Sequence, residues 1–158
     1  MEPLQQVRDT LSLWGLADTI RAFDDGTHTA IDAARAVGCE VSQIAKSIVF
    51  DTSDGPMLVV VGGANRVDKR LVGAAIGTKL RPVGADYLRA RLGLEPGGVT
   101  PLALGGQIRV VVDSELLAFD QIWLSAGTPS HVLSIATGAL CTITRALIMP
   151  AALNAYQS

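Results

Sequence analysis

The segment "QIAKSIVF" (43–50), the turn-forming "DTSDGP" (51–56) and the apolar "MLVVVGG" (57–63) follow one another without a break. β-Branched and aromatic residues mark both flanks as strands, and a turn rich in Asp, Ser, Gly and Pro is the right length to join them. The chain therefore commits to a strand pair early, and one residue sits awkwardly in it. Successive side chains of a strand point to opposite faces, so Ile44, Lys46, Ile48 and Phe50 share one face while Ala45, Ser47 and Val49 share the other. Lys46 thus stands among the larger apolar residues. Burying an unpaired ammonium is costly and depresses its pKa, so this lysine needs an anion, or a wet pocket that supplies one. An edge strand that uses a lysine to discourage sheet-to-sheet pairing explains the same pattern. Both readings stand at this level.

The rest of the chain alternates helical and strand patterns. Residues 3–23 have apolar side chains near helical spacing (Leu4, Val7, Leu11, Trp14, Ile20, Phe23) and open on Pro3, which predicts one helix. "DDGTHT" (24–29) reads as a turn. Thr29 stands three residues before Asp32, an N-cap arrangement for the helix "AIDAARAV", which Gly38 stops. Beyond the strand pair come a helix in "VDKRLVGAAIG", a short strand in "TKLRPV", a helix in "ADYLRARLG" and a glycine-rich loop, "EPGGVTPLALGG". "IRVVVD", "QIWLSAG" and "HVLSIA" read as further strands, "TGALCTI" as a short helix or turn, and a last apolar stretch follows. With 158 residues and no linker, repeat or low-complexity tract, the expectation is one domain over 1–158. Its class is α+β: a strongly curved, barrel-like mixed sheet surrounded by helices. Aromatics make up only 4%, so Val, Ile, Leu and Ala must fill the core.

Charge and cysteine usage narrow the functional classes. No apolar run approaches the ~18 residues of a membrane span, and Arg8, Asp9 and Asp18 interrupt the first twenty residues, unlike a signal peptide. Cys39 and Cys141 form no CxxC pair. A soluble, reducing, cytoplasmic setting is the expectation, without a membrane partner. Spacings of 11, 92 and 10 between His28, Cys39, His131 and Cys141 match zinc sites poorly, so no metal or other cofactor is expected. The net charge of −2 argues against an indiscriminate nucleic-acid binder, but it conceals a contrast. Between Arg66 and Arg91 seven basic residues face two acids, a net +5, while the remainder is −7. Such a region can meet a phosphate backbone over a limited footprint, or be a set of solvated helix faces.

"GGVTP" (97–101) is the second candidate site. Gly97 and Gly98 permit backbone conformations closed to other residues, and Pro101 stiffens the far end. Rigid, outward N–H groups there could hold a carbonyl or a developing oxyanion; an ordinary surface turn is the alternative. The motif is neither a Walker loop nor GxGxxG, so nucleotide binding of those kinds is unsupported.

Taken in order, "T-x-x-x-A-A" (29–34), "QIAKSIVF", "VDKRLVGAAIG", "GGVTPLALG", the "VVVD" strand and "SAG" resemble the YbaK/EbsC family. That family includes the editing domain of bacterial prolyl-tRNA synthetases and its free-standing relatives. The resemblance runs from about residue 27 to 148. It implies a trans-editing hydrolase that cleaves the ester joining a wrong, small amino acid to the terminal adenosine of a tRNA, often proline tRNA. Its partner is the 3′ aminoacyl-adenosine of misacylated tRNA, with an aminoacyl-tRNA synthetase as a further candidate. The other class left open is a non-catalytic module of the same fold that binds a tRNA end or a synthetase; an esterase on another acylated small molecule is a third.

The resemblance also implies roles. Lys46 would hold the terminal nucleotide through a phosphate, and N–H groups around Gly98 would contact the aminoacyl carbonyl, so these two are the catalytic candidates. A ribose hydroxyl with water, rather than a protein nucleophile, would do the chemistry. Thr29, Gly97, Pro101, Ser125, Gly127 and His131 are the substrate-binding candidates. For Thr29 the N-cap role already explains the residue, and for His131 a structural role capping its turn is an equal alternative. Arg66, Lys69 and Arg70 are the candidates for tRNA contact. Trp14 and Trp123 read as core or rim packing. The identities of the amino acid and the tRNA, and the oligomeric state, are not readable from the chain.

Overall fold

The computed structural model describes residues 2–23, 29–104 and 106–154. Apart from Thr29, the turn expected at 24–29 lies outside these residues, as does His28. In chain order the elements are α1 (Pro3–Leu13), β1 (Arg21–Ala22), α2 (Ala30–Val37), β2 (Ala45–Thr52), β3 (Gly55–Gly62), β4 (Arg66–Val67), α3 (Lys69–Ile76), β5 (Arg81–Pro82) and α4 (Ala85–Tyr87), which continues as a π-helical stretch, Leu88–Leu92. Then come β6 (Arg109–Asp113), β7 (Gln121–Ser125), β8 (His131–Ala136), α5 (Thr137–Thr144), β9 (Leu147–Met149) and β10 (Ala152–Leu153). The α+β expectation holds.

The strand pair is the centre of the main sheet, ordered β5-β2-β3-β6-β9. β2 pairs antiparallel with β3 from Ala45↔Gly62 to Thr52↔Gly55, so the expected turn shrinks to Ser53 and Asp54. Gly55, at φ 100°, takes the left-handed conformation that closes it. β6 joins β3 in parallel and β9 joins β6 in parallel, which makes the sheet mixed. A three-stranded antiparallel sheet, β1-β8-β7, and the pair β10-β4 complete the strands. An isolated parallel bridge, Ile44↔Trp123, ties the two larger sheets together.

Burial follows the strand alternation. Ala45, Val49, Leu58 and Val60 face the main core with Ile122, Leu124, Leu133 and Ile135 of the smaller sheet, Val7 and Leu11 of α1 and Leu140 of α5. Phe50, Met57, Val59 and Val61 take the opposite face, against Val72 of α3 and Leu80. Ala33, Ala34 and Ile44 make a third cluster, with Trp123 packed against it. The described helices include none long and apolar enough to cross a membrane.

Two expected elements come out differently. The helix predicted over 3–23 stops at Leu13. Gly15, at φ 68°, reverses the chain, and its N–H donates to the Ser12 carbonyl while that of Leu16 donates to Leu11 at 2.8 Å. That pair of bonds is the Schellman closure of a helix end. Leu16 and Ile20 still pack on the core, but from an extended segment, which is why their spacing mimicked a longer helix. The loop predicted over 95–106 is surface only in its first half: Thr100, Pro101, Leu102 and Ala103 are buried, with residues 101–103 in a short 3-10 turn.

Leu58 sits at 0% exposure in the middle of β3. Leu58→Ala should lower the unfolding free energy by about 2–5 kcal/mol, read as a drop in the urea midpoint at unchanged slope. A loss below about 0.5 kcal/mol would place Leu58 outside the cooperative core.

Candidate active site

β5 covers β2 only at Phe50 and Asp51. Between that pairing and the Ile44–Trp123 bridge, no described strand hydrogen-bonds to the outer edge of β2. A cavity of about 410 Å³ opens against this edge. β2 contributes Ala45 to Ile48, with Ile44 just before it, and α2 contributes Ala30, Ala33 and Val37, with Thr29 at its start. The loop 96–99 lends Pro96, Gly97 and Val99; Trp123, Leu124, Ser125, Thr128, Pro129, His131 and Val132 close the remaining wall. Two other hollows, about 580 Å³ beside α1 and about 680 Å³ beside α3, are lined by neither Lys46 nor Gly97 and Gly98.

Lys46 pairs with Val61 and therefore stands on the α3 side of the sheet, half-buried at its rim. Burial pushes its ammonium below the ordinary lysine value, and the positive charge of Arg66 pushes the same way. Neither cation enters an ion pair with a described residue. Two neighbouring cations with no acid between them suit an incoming anion.

The glycine loop departs from the expectation at one atom. Residues 95–98 form a β-turn in which the Gly98 N–H donates to the Glu95 carbonyl at 2.8 Å, with Gly97 at φ 81°. A proline followed by a glycine at positive φ is what a type II turn demands. The Gly98 donor is thus consumed within the turn. The Gly97 and Val99 N–H groups, on cavity-lining residues, make no hydrogen bond among the described residues. Gly98 matters through its missing side chain: a Cβ there would lie 2.9 Å from the Gly127 carbonyl oxygen and 3.0 Å from Thr128 Cα.

The β7–β8 loop against which Gly98 packs is tightly bonded. Ser125 Oγ donates to the Thr128 carbonyl and accepts the Gly127 N–H, each at 3.3 Å. Thr128 Oγ1 accepts the Ser130 N–H at 3.3 Å and lies 2.6 Å from His131 Nδ1. His131 therefore staples its own turn while also lining the cavity. Thr29 Oγ1 accepts the Asp32 N–H at 3.1 Å, so the N-cap is real, yet Thr29 lines the cavity as well.

The cavity therefore gathers five of the residues singled out in the sequence: Thr29, Lys46, Gly97, Ser125 and His131. Gly98 lies behind it. Pro101 is buried in the core, and Gly127 packs on α1, where a Cβ would come within 2.9 Å of Pro3. Arg66 is near Lys46, whereas Lys69 and Arg70 line the hollow beside α3. Sequence reasoning missed Ser47, whose Oγ is buried at the cavity with no partner among the described residues, and missed Trp123 as a cavity wall. A serine beside the out-of-place lysine was the only available signal. Burial pushes the thiols of Cys39 and Cys141 up, away from thiolate character. No three His, Cys, Asp or Glu side chains of the described residues converge as a metal site.

Comparison with known proteins adds the relatives of this arrangement. Residues 24–143 match the family model described as the aminoacyl-tRNA editing domain. A protein of Enterococcus faecalis named as a candidate Cys-tRNA(Pro)/Cys-tRNA(Cys) deacylase, EbsC, is 26% identical over 78% of this chain and 81% of its own. A proline–tRNA ligase of Limosilactobacillus fermentum is 28% identical over 73% of this chain, which corresponds to only 21% of the ligase. A crystal structure described as a candidate trans-editing enzyme for prolyl-tRNA synthetase superposes with a TM-score of 0.89 at 29% identity, covering 98% of this chain and 99% of the other.

The lowered pKa of Lys46 gives a signed prediction. While both folded and unfolded chains are protonated, the native state bears the full desolvation penalty. As pH rises from the folded pKa toward 10.5, the native state sheds the proton first and the penalty fades. Lys46→Met should therefore match or exceed the wild type in urea stability at pH 7, by up to about 1 kcal/mol. Its advantage should shrink as pH approaches 10.5. A variant clearly less stable than wild type at pH 7 would mean that the fold already supplies the ammonium with a partner.

Proposed function

Because the chain belongs to the aminoacyl-tRNA editing domain family, we propose that it is a trans-editing hydrolase which removes a small, wrongly attached amino acid from the terminal adenosine of a tRNA, with proline tRNA as the favoured substrate. One observation carries the reading: the half-buried Lys46 and the uncommitted N–H groups of Gly97 and Val99 line the same cavity. Lys46 holds the last phosphate of the tRNA, and Arg66 adds to the positive field. The N–H groups of Gly97 and Val99 point at the ester carbonyl and at the oxyanion that develops from it, a contribution of roughly 3 kcal/mol. Gly98 positions that loop by packing on Gly127, and Pro101 anchors it in the core. Thr29, Ser125 and His131 shape the amino-acid pocket.

An aminoacyl ester is already activated, so placement supplies much of the rate. Water adds to the carbonyl carbon while an adjacent ribose hydroxyl takes up and relays its proton. Collapse of the tetrahedral intermediate breaks the bond to the esterified ribose oxygen, which receives that proton. Arg66, Lys69 and Arg70 meet the acceptor stem. One editing domain occupies 1–158, with its two larger sheets as the walls of a curved, barrel-like surface, and it works in the cytoplasm, alone or beside a synthetase.

Incubation with a panel of misacylated tRNAs should release free amino acid, and Lys46→Ala should slow release by roughly 100-fold or more. Binding without release would favour a non-catalytic module of the same fold; release indifferent to Lys46→Ala would remove the lysine from the chemistry. Reversal of Arg66, Lys69 and Arg70 to glutamate should raise KM and flatten the salt dependence of kcat/KM. Unchanged kinetics would take α3 out of the tRNA footprint.

A further inference from the structure

The N–H groups of Gly97 and Val99 belong to a short span, 95–99, strung between two buried anchors. Leu94 is buried before it, and Thr100 and Leu102 are buried after it. Within the span, Glu95 is held at two points. Its carbonyl accepts the Gly98 N–H at 2.8 Å, the bond that closes the turn. Arg89 Nε donates to both oxygens of its carboxylate, at 2.9 and 3.1 Å. Arg89 lies in the π-helical stretch that continues α4, and that stretch ends at Gly93, whose φ of 65° reverses the chain. The reversal brings Glu95 back beside Arg89. The Arg89 carbonyl accepts the Gly93 N–H at 3.2 Å, and Nη1 of its guanidinium lies 3.9 Å from Asp86 Oδ1. One arginine thus ties a helix end to the first residue of the glycine turn.

Both side chains of this pair are about half exposed, so it adds little to global stability. Its consequence is local. The turn bond from Gly98 orients the loop only as well as Glu95 itself is held, and the guanidinium fixes Glu95 from outside the cavity. Main-chain donors stabilise an oxyanion while they are aimed at it, and a small misplacement lowers the rate of the chemical step. We infer that Arg89 is a positioning residue for the proposed hydrolysis. Through Glu95 it keeps the Gly97 and Val99 N–H groups directed at the ester, while Arg89 itself does not line the cavity. The inference rests on the editing reading and adds to it a residue outside the pocket.

The test uses two single variants whose charges change in opposite directions. Arg89→Ala removes a cation and Glu95→Ala an anion. A purely electrostatic role toward RNA would raise KM in the first and lower it in the second. The positioning role requires that kcat on a misacylated tRNA fall in both, by roughly tenfold. The double variant should then lose no more than either single one, because the two side chains act as a unit. Without any substrate, the Gly98 amide proton should exchange several-fold faster with heavy water in both single variants. Their melting temperatures should stay within about 3 °C of the wild type. An unchanged kcat in either variant, or losses that add in the double variant, would overturn the inference and leave editing intact. Unchanged exchange at Gly98 would overturn it whatever the kinetics. Wild-type protein that releases no amino acid from any misacylated tRNA would defeat the editing reading itself, and the inference with it.

Discussion

A sheet edge left open over a few residues is what the site depends on. Ile44 turns its carbonyl toward β3, where it accepts the Gly63 N–H, and an antiparallel ladder alternates the direction of successive peptide groups. The peptide groups of Ala45, Ser47 and Val49 therefore turn outward, and β5 begins to cover that side only at Asp51. Exposed edges invite pairing with another chain. Here the edge is hidden by α2, the glycine loop and the β7–β8 loop, which stand off far enough to leave a cavity. The lysine found in an apolar strand is thus explained by both earlier readings at once: it lies on an edge, and that edge is the wall of a pocket.

Rigidity comes from close backbone approaches between segments remote in sequence. Pro3 presses on Gly127, and the Gly127–Thr128 peptide presses on Gly98; neither glycine has space for a Cβ. The turn bond from Gly98 to Glu95 fixes the orientation of the next N–H along the loop. Donors held this way need little reorganisation when charge develops before them, which is where main-chain oxyanion stabilisation has its advantage. The hydroxyls of the β7–β8 loop serve the same end. Bonded to backbone groups of the turn and to His131, they hold the loop in shape.

Local patterns were readable in the sequence to the extent that they depend on near neighbours. The strand pair, the Thr29 cap, the Gly38 stop and the Lys46 anomaly each follow from spacing over a few residues, and each has its counterpart in the structure. The glycine loop was readable as a turn, but not in which N–H it consumes, because that depends on the φ of Gly97. Apolar spacing over 16–23 imitated a helix because an extended segment laid over a core also buries residues at intervals. Trp123 became a cavity wall through its bridge to Ile44, a contact across 79 positions that no local pattern encodes. The basic segment was legible only as a sum. Charges summed along a chain say nothing of direction, and Arg66 lies near Lys46 while Lys69 and Arg70 line the hollow beside α3.

The proposed roles divide along a physical line between charge and shape. Lys46 and Arg66 raise each other's energy while the cavity is empty, so an anion gains their attraction and also relieves their repulsion. That gain is the same for every tRNA end, because each carries the same backbone phosphates, and it cannot distinguish one attached amino acid from another. Discrimination has to come from a wall where contacts are short-ranged and desolvation is complete.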